Sequence, residues 1–368
     1  MIHSGKEKIE KMGYRQQSQL KKIIAQTIIG FFACFILSAF LVSKKITFIQ
    51  EAVPTTAENN LPLIFNQDDS KDEENPELVQ EISENIIGFD DITYQETVQT
   101  TPKTITKVTP ELLKQMENVD FLKQNYYLVD SRTALLEGDI KPQQFLEKDF
   151  SIDNSGQEPK VLIFHTHSTE GFIDSDMSKD MSEGIWGVGE ELKNILENKY
   201  GISVLHDTGR YDIVDGKGKI LGAYERMEPP IQKILNENPS IQVVIDMHRD
   251  GLPENVHLIT NINGKQCAKV MFFNGMCRLN KDGVPQPTAG LSNENLEDNL
   301  AFSLQMQTTA QSLFPDFTRR IYLHAYRYSL HMKARSLLIE VGSQMNTKEE
   351  AHNAMEPLAE VLANVIKP

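Results

Sequence analysis

Cysteine is scarce in this chain. Only three of its 368 residues are cysteines, and no CxxC pair occurs among them. Cys34 lies in an apolar run, and Cys267 and Cys277 lie far downstream. Small secreted domains held together by disulfides need a denser framework of cysteines than this. The sequence therefore excludes a disulfide scaffold and argues against a thiolate zinc site.

The chain also has fewer basic than acidic residues. The chain has 37 basic and 52 acidic residues, which give a formal net charge of -15. A negative protein is repelled at long range by polyanions. We therefore expect no nucleic-acid partner and no general attraction to an anionic lipid surface.

One long run has no charge at all. It extends from Ile23 to Ser43, is 21 residues long, and is followed by Lys44 and Lys45. A helix of about 20 apolar residues crosses a bilayer, whereas the apolar region of a cleavable signal peptide has about 7–15 residues. We predict a transmembrane helix over 23–43. The Lys- and Arg-rich segment 1–22 is then a cytoplasmic basic tail, so the rest of the chain is exported.

The segment after the predicted span has the composition of a tether. Ten acidic residues and one basic residue occur between Glu51 and Glu84, together with three prolines. Such a stretch buries too little apolar surface to offset the entropy lost on ordering. We predict an acidic flexible linker over 44–117 and a folded extracytoplasmic domain over 118–368.

Within that domain, apolar strand-like runs alternate with helical patterns. VLIF, ISVL and IQVVIDMH are separated by amphipathic segments, and VHLIT, AKVMFF and SLLIEV follow. Strands that alternate with helices indicate an α/β fold with a mostly parallel sheet, flanked by helices on both faces.

Polar side chains follow three of these predicted strands. The first run ends in His165-Thr166-His167-Ser168-Thr169-Glu170, another ends in Asp246-Met247-His248-Arg249-Asp250, and the last contains Glu340. Because ligands of open α/β sheets bind at the carboxyl ends of strands, we expect these side chains to lie close together.

The residue types suit a catalytic zinc site. His167, Glu170 and His248 would supply the three ligands that such a site needs, and Glu340 would act as the general acid/base. His165, predicted on the same side of its strand as His167, could be an alternative ligand or could orient one. Glu340 could instead pair with Arg335.

Arg249 and Asp250 have two open interpretations. They could orient His248 or bind substrate, or they could form an ordinary surface ion pair.

Three motifs, VLIFHTHSTEGF, VVIDMHRDG and LLIEVGSQMNTKEEA, occur here in an order and spacing that resemble the stage II sporulation protein P family of peptidoglycan amidases and endopeptidases. The resemblance covers roughly residues 118–368 together with the anchor and tether. It implies a zinc-dependent N-acetylmuramoyl-L-alanine amidase fold, with zinc on His167, Glu170 and His248 and with Glu340 as the acid/base.

The resemblance also implies a setting. The substrate would be septal peptidoglycan during engulfment, the location would be the mother-cell membrane with the catalytic domain outside, and the partners would be stage II sporulation proteins D and M. The chain departs from the family pattern at Ser343, where a glycine is usual, and around Tyr328–Met332. These departures concern the groove rather than the proposed ligands.

Two other functions remain open from the residues. A metallocarboxypeptidase also uses a His-x-x-Glu pair, a distant histidine and a glutamate base, but it needs a basic group to bind the terminal carboxylate, for which Arg249 is the motif-linked candidate. A non-catalytic wall-binding module would have no need of the four residues that form the predicted centre.

Overall fold

The computed structural model describes residues 108–281 and 283–367. The predicted basic tail 1–22, the predicted span 23–43 and the predicted linker up to residue 107 lie outside these residues. None of the helices in the described part of the chain combines the length and apolar content that a membrane crossing requires.

The described helices and strands alternate along much of the chain. The α-helices are α1 (Pro110–Met116), α2 (Val119–Asn125), α3 (Pro142–Glu147), α4 (Ile185–Tyr200), α5 (Ala223–Glu237), α6 (Leu296–Leu313), α7 (Lys348–Asn353) and α8 (Met355–Ile366). The strands are β1 (Tyr127–Val129), β2 (Val161–Phe164), β3 (Val204–His206), β4 (Ile213–Val214), β5 (Lys217–Gly218), β6 (Val243–Asp250), β7 (Ile259–Ile262), β8 (Lys265–Ala268), β9 (Val270–Gly275), β10 (Arg278–Lys281), β11 (Val284–Pro287), β12 (Ile321–His324) and β13 (Ser336–Ser343).

A seven-stranded sheet forms the centre, in the order β1-β12-β9-β13-β6-β2-β3. Neighbouring strands run parallel except for β9 and β13, which pair antiparallel. The VHLIT run, predicted as a further strand, only overlaps β7, which pairs with β8 in a separate two-stranded sheet. The architecture is therefore mixed α/β with a largely parallel central sheet.

Alternate residues of the central strands enter two different cores. Ile163, Ile245 and Ile339 pack in the core that contains residues of α4, α6 and α8. Their neighbours Val244 and Leu338 pack in a second core with residues of α5. Because side chains alternate across a strand, residues on both faces are covered by helices, and the central strands are buried on both sides.

The folded region begins before the predicted boundary at residue 118. Helix α1 lies inside the segment predicted as linker, and its last residue, Met116, is fully buried. The start of this helix has a local cause. Thr109 caps it by accepting a hydrogen bond from the backbone N–H of Leu112, and Pro110 occupies the first turn.

Both the backbone conformation and the close neighbours of Gly342 disfavour any side chain at this position. Its φ is +63°, and a Cβ there would lie 2.5 Å from Oδ1 of Asn346. We expect Gly342→Ala to lower the free energy of unfolding by about 1–3 kcal/mol, measured by urea denaturation. Gly201→Ala is the matched control, since its φ is +65° but no atom lies within 4 Å of the added Cβ. Equal losses in the two variants would contradict the role of the Asn346 contact.

A buried polar network lies at the carboxyl end of β12, on the side of the sheet where β1 forms the edge. Arg132 forms an ion pair with Asp130 and donates a hydrogen bond from Nη2 to Nε2 of His324. Because an arginine can only donate, the proton of the neutral imidazole lies on Nδ1, which faces the hydroxyl of Tyr328. Burial, reinforced by Arg132, lowers the pKa of His324 to about 3.

This lowered pKa has a measurable effect on acid stability. Between pH 6.5 and 3 the unfolded chain binds a proton at His324 that the folded chain does not, so stability falls as the pH is lowered through this window. We expect His324→Gln to reduce the slope of unfolding free energy against pH, between pH 5.5 and 4.5, by about 1.4 kcal/mol per pH unit. Identical slopes in urea titrations of the two proteins would contradict this assignment.

Candidate active site

The candidate site lies on the sheet face that α5 covers. Val244, Asp246 and His248 alternate along β6 toward this face, and Glu340 of β13 is the direct cross-strand partner of His248. The parallel pairing of β6 with β13 thus brings together two residues that are far apart in sequence. Both lie near the carboxyl ends of their strands, where ligands of α/β sheets bind.

The loop after β2 brings two more residues to the same place. Oε1 of Glu170 lies 3.3 Å from Nδ1 of His248. The ring of His167 lies edge-on to that of His248, with centroids 5.3 Å apart, and 5.6 Å from the ring of Tyr224 in α5. All three predicted ligand side chains are almost completely buried.

His248 lies between two carboxylates. Its Nδ1 faces Glu170, and its Nε2 lies 2.8 Å from Oδ1 of Asp246. Burial alone would lower the pKa of His248, but the charges of Asp246 and then Glu170 outweigh burial and raise this pKa well above its ordinary value. For His167, burial and then the charge of His248 lower the pKa to about 3. The surroundings of the two imidazoles therefore shift their pKa values in opposite directions.

A second buried aspartate holds the loop that carries His167 and Glu170. Asp212 is fully buried and accepts hydrogen bonds from the Ser168 hydroxyl, the Thr169 hydroxyl and the Thr169 backbone N–H. The loop is thus anchored between its two predicted ligands.

Glu340 lies beside His248 but forms no salt bridge with a lysine or arginine among the described residues. Its side chain is partly exposed, and its Oε2 atom is buried without a hydrogen-bond partner among them. Burial raises the pKa of Glu340 well above its ordinary value, although the charge of His248 opposes this shift. Arg335, the candidate structural partner, instead lies over the ring of Phe150 at 5.8 Å.

His165 lies on the other side of the sheet from His167. Its Nδ1 lies 2.8 Å from the carbonyl oxygen of Met247, and its Nε2 lies 2.9 Å from Nε2 of His206. The expectation that His165 and His167 share one side of a strand is wrong. Strand β2 ends at Phe164, so strict alternation does not extend to His167.

Arg249 and Asp250 do not pair with each other through their side chains. The backbone N–H of Arg249 donates to Oε2 of Glu170, and its guanidinium Nε donates to the carbonyl of Gly171. The carboxylate of Asp250 forms an ion pair with Arg319. Arg249 thus contributes to placing Glu170, and its side chain is largely buried.

Whether these residues suit a zinc ion can be tested on their distances. Within residues 108–281 and 283–367, no group of three or more His, Cys, Asp or Glu side chains is arranged ready to hold a metal. The separation of Nδ1 of His248 from Oε1 of Glu170, 3.3 Å, nevertheless matches the spacing of about 3.4 Å between two ligands of a tetrahedral zinc. The donor types and the distance between His248 and Glu170 fit zinc.

The sequence placed Asp246 at the end of a predicted strand but gave it no role, and it did not indicate Asp212 at all. For Asp246 a signal exists, because it precedes His248 by two residues and therefore points to the same face of β6. For Asp212 no pattern exists, because it lies in a loop remote in sequence from the residues it holds.

Comparison with known proteins identifies the family. A family model described as stage II sporulation protein P matches residues 42–363. The stage II sporulation protein P of Bacillus subtilis (strain 168) is 23% identical over 232 residues, which is 60% of this chain and 54% of that protein. The match thus spans about half the length of this relative.

Solved structures of amidases are also similar. N-acetylmuramoyl-L-alanine amidase AmiC2 of Nostoc punctiforme is 14% identical, with a TM-score of 0.32 over 58% of this chain and 96% of that one. The CwlD amidase from Clostridioides difficile, in complex with the GerS lipoprotein, is 12% identical, with a TM-score of 0.32 over 56% of this chain and 99% of that one. Likeness at this level says nothing about activity. The family model, which matches most of the chain, confirms the family predicted from the three motifs, and the chain belongs to the stage II sporulation protein P family.

Proposed function

We propose that this chain is a zinc-dependent peptidoglycan hydrolase that acts in sporulation. The reaction is that of an N-acetylmuramoyl-L-alanine amidase, which cuts the peptide stem from the glycan, with additional endopeptidase action on crosslinks. Membership of the family supports the role in sporulation. The observation that carries the reaction is the pairing of Glu340 with His248, whose Nδ1 lies 3.3 Å from Glu170.

In this proposal His167, Glu170 and His248 hold the zinc ion. When bound, the ion polarises the scissile carbonyl and lowers the pKa of a water molecule. The chain supplies the remaining parts. Asp246 and Asp212 hold the ligand-bearing segments in place, and the backbone N–H of Arg249 fixes the second oxygen of Glu170.

Glu340 moves the proton. Its carboxylate takes a proton from the attacking water and delivers it to the nitrogen of the leaving amine, so that the amide bond breaks without releasing an amide anion. A carboxyl group serves both steps best when its pKa lies near the working pH. Burial moves the pKa of Glu340 upward, toward that range.

The setting of the reaction belongs to the same proposal. The predicted span 23–43 anchors the chain in the mother-cell membrane, with the catalytic domain on the outer side facing the septal wall. The family further suggests stage II sporulation proteins D and M as partners.

Two observations argue against the two other functions. A carboxypeptidase needs a guanidinium that is free to bind a terminal carboxylate, and that of Arg249 is tied to the carbonyl oxygens of Gly171 and Asp250. A wall-binding module does not need a carboxyl oxygen that is buried without a hydrogen-bond partner, as Oε2 of Glu340 is, because such an atom is costly to keep.

The proposal is tested with the purified full chain in detergent, incubated with peptidoglycan sacculi. We expect mass spectrometry to find stem peptides released at the lactyl amide and metal analysis to find about one zinc per chain. A strong chelator should stop the release, and added zinc should restore it. Release that survives the chelator, or zinc-loaded chain that releases nothing, would refute the proposal.

A further inference from the structure

The carboxylate of Asp246 accepts three hydrogen bonds. It is almost completely buried. Its Oδ1 accepts hydrogen bonds from Nε2 of His248, at 2.8 Å, and from the backbone N–H of Thr166, at 3.0 Å. Its Oδ2 accepts from the hydroxyl of Thr166, at 2.7 Å. Both oxygens are therefore engaged, and every partner belongs to a ligand or to the neighbour of one.

We propose that Asp246 is the positioning residue of the metal centre. It turns His248 so that Nδ1, rather than Nε2, faces the ion, and it ties the strand that carries His248 to the loop that carries His167. This inference rests on the proposed zinc function and assigns a residue that the motifs alone did not single out.

The first part follows from the chemistry of imidazole. A histidine ligand binds metal through one ring nitrogen and keeps a proton on the other, and a carboxylate beside the second nitrogen decides which is which. Here the carboxylate of Asp246 lies beside Nε2 of His248, so Nε2 carries the proton. Nδ1 is left to face Glu170, the next predicted ligand.

The second part follows from the contacts of Thr166. This residue directly precedes His167, and its backbone and side chain both donate to Asp246. One carboxylate thus sets the position of β6 relative to the loop after β2. A metal site built from two segments needs such a link, because small shifts of either segment separate the ligands.

The test measures zinc affinity and needs no turnover. The full chain in detergent is stripped of metal, and its affinity for Zn²⁺ is measured by competition with a chromophoric chelator. We expect Asp246→Ala to weaken binding by about 100-fold and Asp246→Asn by about 10-fold. The order follows because the asparagine oxygen can still accept a hydrogen bond from Nε2 of His248 but carries no charge.

Two controls separate positioning from general stability. Asp130→Asn removes a different buried carboxylate, which accepts hydrogen bonds from Arg132 and Tyr322 at the sheet edge. It should lower the unfolding temperature but leave zinc affinity unchanged. Thr166→Val removes only the side-chain bond to Asp246 and should weaken zinc binding less than Asp246→Asn does.

The outcomes are distinct. If the wild-type chain binds Zn²⁺ and Asp246→Asn binds it equally well, the positioning role is refuted and the proposed function stands. If Asp130→Asn weakens binding as much as Asp246→Asn, Asp246 acts only through the stability of the fold, which also refutes the role. If Thr166→Val weakens binding as much as Asp246→Asn, Asp246 acts through the loop alone, and its orientation of His248 is refuted. If the wild-type chain does not bind Zn²⁺, both proposals fail.

Discussion

Replacing Glu340 by glutamine is expected to slow the release of stem peptides by about 10²–10⁴-fold, the range that a lost general acid/base typically accounts for. Glutamine keeps the shape of the side chain and removes only its ability to exchange a proton. The fold should not suffer, because burial already disfavours the charged form of this carboxyl group. Release is measured by mass spectrometry of sacculus digests at equal zinc content.

The matched control for this variant is Glu356→Gln, which changes an exposed glutamate on α8 that pairs with Lys199. It should hydrolyse sacculi at the wild-type rate. If Glu340→Gln retains more than about a tenth of the wild-type rate, Glu340 does not transfer the proton. Even the low end of the expected range is a loss of about 100-fold.

Replacing His248 by alanine is expected to cost about 3–5 kcal/mol of unfolding free energy in the metal-free chain, because it leaves buried charge without its partner. Asp246 and Glu170 would then be two buried carboxylates with no cation between them. Urea denaturation of the two metal-free proteins at pH 7 measures it.

His257→Ala is the control for His248→Ala. His257 is about half exposed, and its partner Glu350 also accepts hydrogen bonds from the side chain of Asn346 and the backbone N–H of Thr347, so the loss of His257 should cost no more than about 1 kcal/mol. Similar losses for the two histidines would mean that the ion pairs of His248 contribute little, against the geometry of the site.

The fold was predictable where the apolar runs were long or clearly bounded. The VLIF run and the SLLIEV run were predicted as strands and lie at β2 and β13. Strand β12 was not predicted. Its four residues, Ile321–His324, form a run too short to show the period of a strand or that of a helix. Its place between β1 and β9 depends on contacts that no local pattern contains.

The candidate site was predictable to a similar degree. The ends of the predicted strands indicated Glu170, His248 and Glu340 as site residues. The structure brings these three residues together, and their catalytic roles stay predictions. The failure at His165 came from extending the alternation of a strand past its end. Asp212 could not have been found, because a loop residue acquires its partners only when the whole chain has folded.

The spatial order of the strands in the sheet differs from their order along the chain. Strand β13, which carries Glu340, is the last strand in the chain and yet lies in the middle, between β6 and β9. Until residues 336–343 arrive, the earlier strands have two unpaired edges, which are prone to join other chains. Because β6 carries His248 and β13 carries Glu340, the candidate site stays incomplete until the last strand of the chain has joined the sheet.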